Sequence, residues 1–419
     1  MGTRALATAV AAIFITLTPL SFGSRQGEPR LSIEDPRWSE VTPAAGSPSP
    51  RILHVMAYDQ MRHLTVLFGG RGSQGEMYTD TWEWDGQNWV LRSPVHSPPL
   101  ADGNYAMAYD PQRGVSVLYF GGWMNDTWEW DGHDWIETTP ANRPPTPSYP
   151  ALAHSPGYGG ILLFDRFSSE LFLWNGVDWS TVPAIVTPPA GCSTATFVYD
   201  SHRGRAVLHG VLNSTGSSCS DTWEFEGVTW APASTGFGYV GAASAAFNHD
   251  AAVVALFGGN TPNCSLWQQL MYWDGSTWAP AVNGTGPSGR TYAAMVYDTD
   301  RRRLVLFGGS NPECGRVPLG DTWEYGATLT PQGAISEIVD QVTSLESQGI
   351  LNPGQATSLI AKLEQAISAI SDGNLDGARG QLTAFLNHCD ALQNAGILTS
   401  SLADDLAEQA AVVLAQLGR

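Results

Sequence analysis

The chain has 419 residues, of which 43% are hydrophobic, with 45 Gly, 27 Pro and 16 Trp. That length exceeds one ordinary core, and that aromatic content excludes a disordered chain. A net charge of −19, from 21 basic and 40 acidic residues, sets aside nucleic acid and anionic membrane surfaces as main partners. Lys362 is the one lysine, which excludes a Schiff-base lysine from the first 325 residues.

Residues 1–23 read as a signal peptide. Arg4 is the positive n-region, Ala5–Leu20 is an uncharged apolar run, and Ser21-Phe22-Gly23 supplies small residues at a cleavage site. A run of 16 residues is short for a ~30 Å hydrocarbon core. The expected address is therefore secreted or extracytoplasmic, in periplasm or at the cell surface, with no transmembrane segment in the mature chain. Disulfides are permitted there. Residues 24–37 read as a linker.

A repeat then takes over. Arg51–Trp89 contains RILHVMAYDQMRHLTVLFGG and DTWEWDGQNW; Asn104–Trp135 contains NYAMAYDPQRGVSVLYFGG and DTWEWDGHDW; Arg290–Tyr325 contains RTYAAMVYDTDRRRLVLFGG and DTWEY. Three weaker copies lie between. Each unit predicts four strands. In the first these are a small apolar strand (Met56–Tyr58), a β-branched strand ending at Gly69-Gly70 (Leu64–Phe68), an alternating strand (Asp80–Trp84), and a last strand headed by Trp89 after an Asp85-Gly86 turn. The outer tryptophans 38, 89, 135, 179, 230 and 278 recur every 44–51 residues. Four-stranded units at that period predict blades of a β-propeller. The last unit has no DGxxW of its own, and Trp38 stands ahead of the first. The N-terminal strand is therefore expected to complete the last blade and close a six-bladed ring over residues 38–325, because an unjoined ring would expose sheet edges.

Gly-Gly followed by spaced aromatics resembles the kelch repeat, in propeller proteins of the bacterial secreted type. The resemblance covers Trp38–Tyr325. Units three and four depart from it, with Asp165-Arg166 and His209-Gly210-Val211 where Gly-Gly is expected. After a linker at 326–333, residues 334–419 show helical spacing and predict a four-helix all-α bundle. The segment GILNPGQATSLIAKLEQA…QLTAFLNH resembles the FIMAH-type domain. Such a tail implies tethering or spacing rather than catalysis.

Loops on a rigid scaffold carry function. The loops entering first strands and joining second to third strands share one face. There Arg51 and Arg290 hold equivalent positions in units expected to be neighbours, and as a pair they would clamp an acidic ligand. The alternative is that each holds loop carbonyls as part of the scaffold. Arg71, Arg166 and Arg316 would extend a basic rim, and His209 is a further candidate facing the channel or the core. The Asp of each Asp-Thr-Trp repeat reads as structural, because it recurs with the fold. Cys192 and Cys219 are expected to pair; Cys264 and Cys314 are a second candidate pair, at sites five residues after equivalent Gly-Gly positions. Cys389 has no partner in the tail. No metal-ligand spacing, nucleophile elbow or phosphate loop is present, so no cofactor, metal or catalytic set is expected. A copper site of galactose-oxidase type or a sialidase-type hydrolase would need ligand and turn patterns that these repeats lack. A binding module for a protein or glycan ligand, acidic ligands included, therefore ranks ahead of an extracellular carbohydrate-active enzyme and of a structural envelope component assembled through the tail.

Overall fold

A computed structural model describes residues 36–418 apart from short loop segments at 45, 102, 146, 189–193, 213–217, 235–240, 262–264, 282–285, 312–316 and 327–330. The chain forms two compact units, one spanning Glu34–Thr328 and the other containing Leu329–Arg419.

The first unit is a six-bladed β-propeller. Strand β1 (Arg37–Val41) precedes the first complete blade, which comprises β2 (Val55–Asp59), β3 (Leu64–Arg71), β4 (Met77–Trp84) and β5 (Trp89–Leu91). Blade two is β6 (Tyr105–Asp110), β7 (Val115–Phe120), β8 (Thr127–Trp130) and β9 (Trp135–Glu137). Blade three is β10 (Pro150–Ser155), β11 (Gly160–Asp165), β12 (Leu171–Trp174) and β13 (Trp179–Val182). Blade four is β14 (Thr196–Asp200), β15 (Arg205–Leu212), β16 (Ser218–Phe225) and β17 (Trp230–Ser234). Blade five is β18 (Ser244–Asn248), β19 (Val253–Phe257), β20 (Leu270–Trp273) and β21 (Trp278–Pro280). Blade six is β22 (Ala294–Asp298), β23 (Arg303–Phe307) and β24 (Thr322–Gly326), and β1 completes it in the order β1-β24-β23-β22. The closing register sets Trp38 against Tyr325 and Val41 against Thr322. The innermost strands touch in turn around the ring, and β22 meets β2.

The second strands are continuous apolar runs because both faces are covered; Val66, Leu67, Val117, Leu118, Leu162, Leu163, Val305 and Leu306 are fully buried. Between blades the core is aromatic, and its polar atoms follow one rule. The indole closing each third strand donates to a Glu in the third strand of the preceding blade. Trp84 donates to Glu324, Trp130 to Glu83, Trp174 to Glu129 and Trp273 to Glu224. Blades three and five carry Leu173 and Tyr272 at the Glu position. The blades that follow them carry Phe225 and Tyr325 instead of Trp, and Tyr325 hydrogen-bonds Tyr272. The outer tryptophans obey a parallel rule with a Thr at the start of the preceding third strand. Trp89 donates to Thr322, Trp135 to Thr81, Trp179 to Thr127 and Trp278 to Thr222. Leu171 and Leu270 replace that Thr in blades three and five, and the indole N–H groups of Trp230 and Trp38 are buried without a partner among the described residues. A buried donor needs an acceptor, so the aromatic that closes each third strand tracks the residue supplied by the blade before it, whereas the outer tryptophan is kept even where that acceptor is lost.

Beneath each of the four Glu residues an arginine completes the network. Arg62 joins Asp59 to Glu83, Arg113 joins Asp110 to Glu129, Arg203 joins Asp200 to Glu224, and Arg301 joins Asp298 to Glu324. These groups sit at the turn joining first and second strands, opposite the loop face.

The second unit contains α1 (Pro331–Ser347), α2 (Pro353–Ser371), α3 (Leu375–Asn394) and α4 (Ser400–Leu417). The first helix starts at Pro331, ahead of the expected Ala334, because proline fits a first helical turn. The second opens with a capping box between Asn352 and Gln355. Ile335, Leu359, Leu382, Phe385 and Leu406 form part of one buried core. Cys389 lies in that core with a free thiol, which burial pushes up to about 12.

Candidate functional site

The channel opens on the loop face, in a cavity of about 500 Å³ lined from all six blades. Its rim is a collar of residues two positions before the inner-strand register. Leu53, Gly103, Tyr149, Ala242 and Tyr292 all adopt positive φ between 54° and 71°. For a non-glycine residue that conformation costs roughly 1–2 kcal/mol, and it persists only where neighbours hold it. Blade-to-blade hydrogen bonds do so here. Leu53 N donates to Tyr292 O at 3.2 Å, Tyr292 N to Ala242 O at 3.0 Å, and Ala242 N to Thr194 O at 3.4 Å. Tyr149 N donates to Asn104 Oδ1 at 2.8 Å.

Arg51 and Arg290 come together with the scaffold rather than with the channel. Both are buried, at 0% and 2% exposure. Arg51 donates to Ser49 O, to Gly69 O and in bidentate fashion to Asp80. Arg290 donates to Ser288 O, to Gly308 O and in bidentate fashion to Asp321. The repeated Asp thus meets an arginine 29 or 31 residues away, and its Oδ2 also accepts from an indole two residues on, Trp82 or Trp323. Burial works to raise the Asp80 and Asp321 carboxyls, but their arginines outweigh it and hold both below the ordinary carboxylate range.

His209 is buried between blades four and five. Its Nδ1 lies 3.0 Å from Thr222 Oγ1, its ring packs on Trp278, and burial pushes it down to about 4. It does not line the channel cavity. His54 does, a residue the sequence reading passed over. Its Nε2 lies 3.1 Å from Phe307 O, and burial, assisted by the Arg51 charge, pushes it down to about 3.

Arg71 and Arg166 are the channel-wall arginines among the described residues. Arg166 occupies the position of Gly70 in blade one. There the glycine has φ +108°, and a Cβ would stand 3.0 Å from Ile52 O. Blade three avoids that constraint with a short hairpin, in which Asp165 N donates to Glu170 O and Ser169 N returns to Asp165 O. The buried Asp165 carboxylate accepts from Ser148 N, Phe167 N and Ser168 Oγ, which fixes the loop. It makes no bond to its neighbour Arg166. Among the described residues Arg166 has no ion pair, its Nε is buried without a hydrogen-bond partner, and burial alone pushes its guanidinium down to about 10. Arg316, Cys192, Cys264 and Cys314 lie outside the described residues, as does the side chain of Cys219, and the expected disulfides fall with them. No group of three or more His, Cys, Asp and Glu placed to hold a metal occurs among the described residues. No described helix is long and apolar enough to cross a membrane.

Residues 335–415 match the FIMAH domain. No curated protein matches the chain. Among solved structures, YjhT is similar at 13% identity and TM-score 0.49, covering 66% of this chain and 95% of its own. A structural-genomics protein of unknown function from Bacteroides thetaiotaomicron is similar at 9% identity and TM-score 0.45, over 70% of this chain and 76% of its own. A mutant of AofleA from Arthrobotrys oligospora is similar at 11% identity and TM-score 0.43, over 71% of this chain and 91% of its own. The chain is a six-bladed β-propeller followed by a helical unit that matches the FIMAH domain.

Proposed function

We propose that this is an exported, kelch-like binding module that takes an acidic group of its ligand into the channel mouth on the loop face. The observation that carries the reading is Arg166, a guanidinium in the wall of the cavity that has no ion pair among the described residues. A cation drawn away from water is normally paired, and this half-buried one, with no ion pair among the described residues, is poised for an anion from outside. The contrast with Arg51 and Arg290 is instructive, since their charges are already neutralised by Asp80 and Asp321. Export follows from the leader at residues 1–23, and the cysteine pair 192 and 219 belongs to the same reading as a disulfide.

Calorimetric titration of the full mature chain with short acidic and neutral peptides and saccharides tests the proposal. An acidic member should bind, and Arg166→Met should abolish the heat without lowering the melting temperature, because that arginine makes no ion pair to lose among the described residues. Arg51→Met should do the opposite, lowering stability first. Binding that survives Arg166→Met unchanged overturns the reading.

A further inference from the structure

Among the described residues, the rim beside Arg166 carries exposed aromatic side chains. Trp123 is 86% exposed, Phe167 64% and Tyr149 50%. Large aromatics are normally the main source of burial in a fold of this kind, and a group of them facing water marks an interaction surface. Backbone contacts gather the three in one sector. Gly122 N donates to Pro147 O at 2.6 Å, which brings the Trp123 loop of blade two against the segment leading to Tyr149. A Cβ on Gly121 would stand 2.5 Å from that same carbonyl, so the approach needs glycine. One residue further along, Ser148 N donates to Asp165 Oδ1, the atom that also receives Phe167 N. Arg166 stands between Asp165 and Phe167. Three exposed aromatic rings and one cation with no ion pair among the described residues are thus tied to a single stretch of rim over blades two and three.

We infer that the ligand is an acidic saccharide, whose ring stacks on the rim aromatics Trp123, Tyr149 and Phe167 while its carboxylate or sulfate meets Arg166 in the channel wall. The inference rests on the binding-module reading above. A pyranose presents an apolar C–H face to an aromatic plate and keeps its hydroxyls in water, which suits aromatics held at such exposure. The guanidinium fork matches a carboxylate or sulfate in two parallel hydrogen bonds. A cavity of about 500 Å³ lies in the range used for small molecules. The net charge of −19 makes the remaining surface repel acidic chains, so an anionic sugar is drawn only where a local cation offsets that field. Position Arg166 supplies that cation in the blade whose sequence departs from the repeat.

The test is titration of the full mature chain with glucuronate, galacturonate, N-acetylneuraminate and glucose 6-sulfate, each beside its uncharged counterpart, and with a tetraglutamate peptide. At least one acidic sugar should bind and its neutral counterpart should not. The carboxylate and sulfate arms separate the two sources of charge. Trp123→Ala and Arg166→Met should each weaken that binding by roughly tenfold or more, as expected for a lost stacking plate or charge-assisted bond. Neither variant should lower the melting temperature, since Trp123 is 86% exposed and Arg166 has no ion pair to lose among the described residues. If tetraglutamate binds through Arg166 while every sugar is inert, or if Trp123→Ala leaves sugar binding intact, the saccharide inference is wrong and the channel-binding reading stands. If nothing in the set depends on Arg166, both fall.

Discussion

Replacing Trp135 by Phe will destabilise the propeller more than replacing Trp230 by Phe, although the two occupy equivalent sites and are 1% and 2% exposed. The difference lies in one atom. Trp135 Nε1 donates to Thr81 Oγ1 at 2.8 Å, whereas Trp230 Nε1 is buried with no partner because Leu171 stands in place of the Thr. Both substitutions remove similar ring area, so the packing loss largely cancels in the comparison. At Trp135 the change gives up a hydrogen bond worth about 1 kcal/mol net. At Trp230 it removes an unsatisfied donor whose burial costs about 1–3 kcal/mol. The two variants should therefore differ by roughly 2–4 kcal/mol. Urea unfolding followed by tryptophan fluorescence measures this directly, because the helical unit contains no Trp and the signal reports the propeller alone. The midpoints should separate at a common slope. A cycle pairing Trp135→Phe with Thr81→Val should return a coupling of about 1 kcal/mol. Equal destabilisation at the two sites would refute the account of blade pairing through indole donors.

Three further outcomes follow from the same contacts. Removing the chain through Pro43 deletes β1, whose five register pairs close blade six, and with it Trp38 at 5% exposure; loss of a buried Trp alone costs about 3–5 kcal/mol, and a melting temperature within a degree of the parent would contradict ring closure by this strand. Asp80 and Asp321 have carboxyls held low in the folded state by Arg51 and Arg290. Their contribution is present above the unfolded value of about 3.9 and is lost as pH falls through the native value, so Arg51→Gln should lower stability at pH 7 by more than at pH 2. His54 and His209 run in a higher window, because burial pushes them to about 3 and about 4 from 6.5. The unfolded chain takes up their protons first, so stability falls as pH drops below 6.5, by about 2 kcal/mol for each histidine at pH 5. Stability measured from pH 7 to 4.5 should flatten in the variant combining His54→Gln and His209→Gln, and an unchanged slope would show that neither histidine is held neutral.

Much of this protein was legible in the chain. The recurrence of DTWEW and DGxxW, and a sixth outer tryptophan found at position 38 rather than after Tyr325, determined the blade number and the closing strand. They could do so because every blade must solve the same packing problem, so the same residues return at the same spacing. The helical unit was equally readable from its apolar period, up to the choice of Pro331 as its start. Even the indole rule is written in the sequence, in the exchange of Trp for Phe225 and Tyr325 after blades that lack Glu. It becomes intelligible only once the ring shows which blade precedes which. The fate of the arginines was decided by tertiary structure alone. Arg51, Arg290 and Arg166 all stand at the loop face in the repeat, and their charge is the same. What separates them is a carboxylate about thirty residues away: Asp80 and Asp321 fold onto the first two, while Asp165, adjacent to the third, spends its oxygens on Ser148, Phe167 and Ser168. Whether an arginine at the loop face is neutralised depends on which acceptor the folded chain brings within about 3 Å, and that distance is set by the ring.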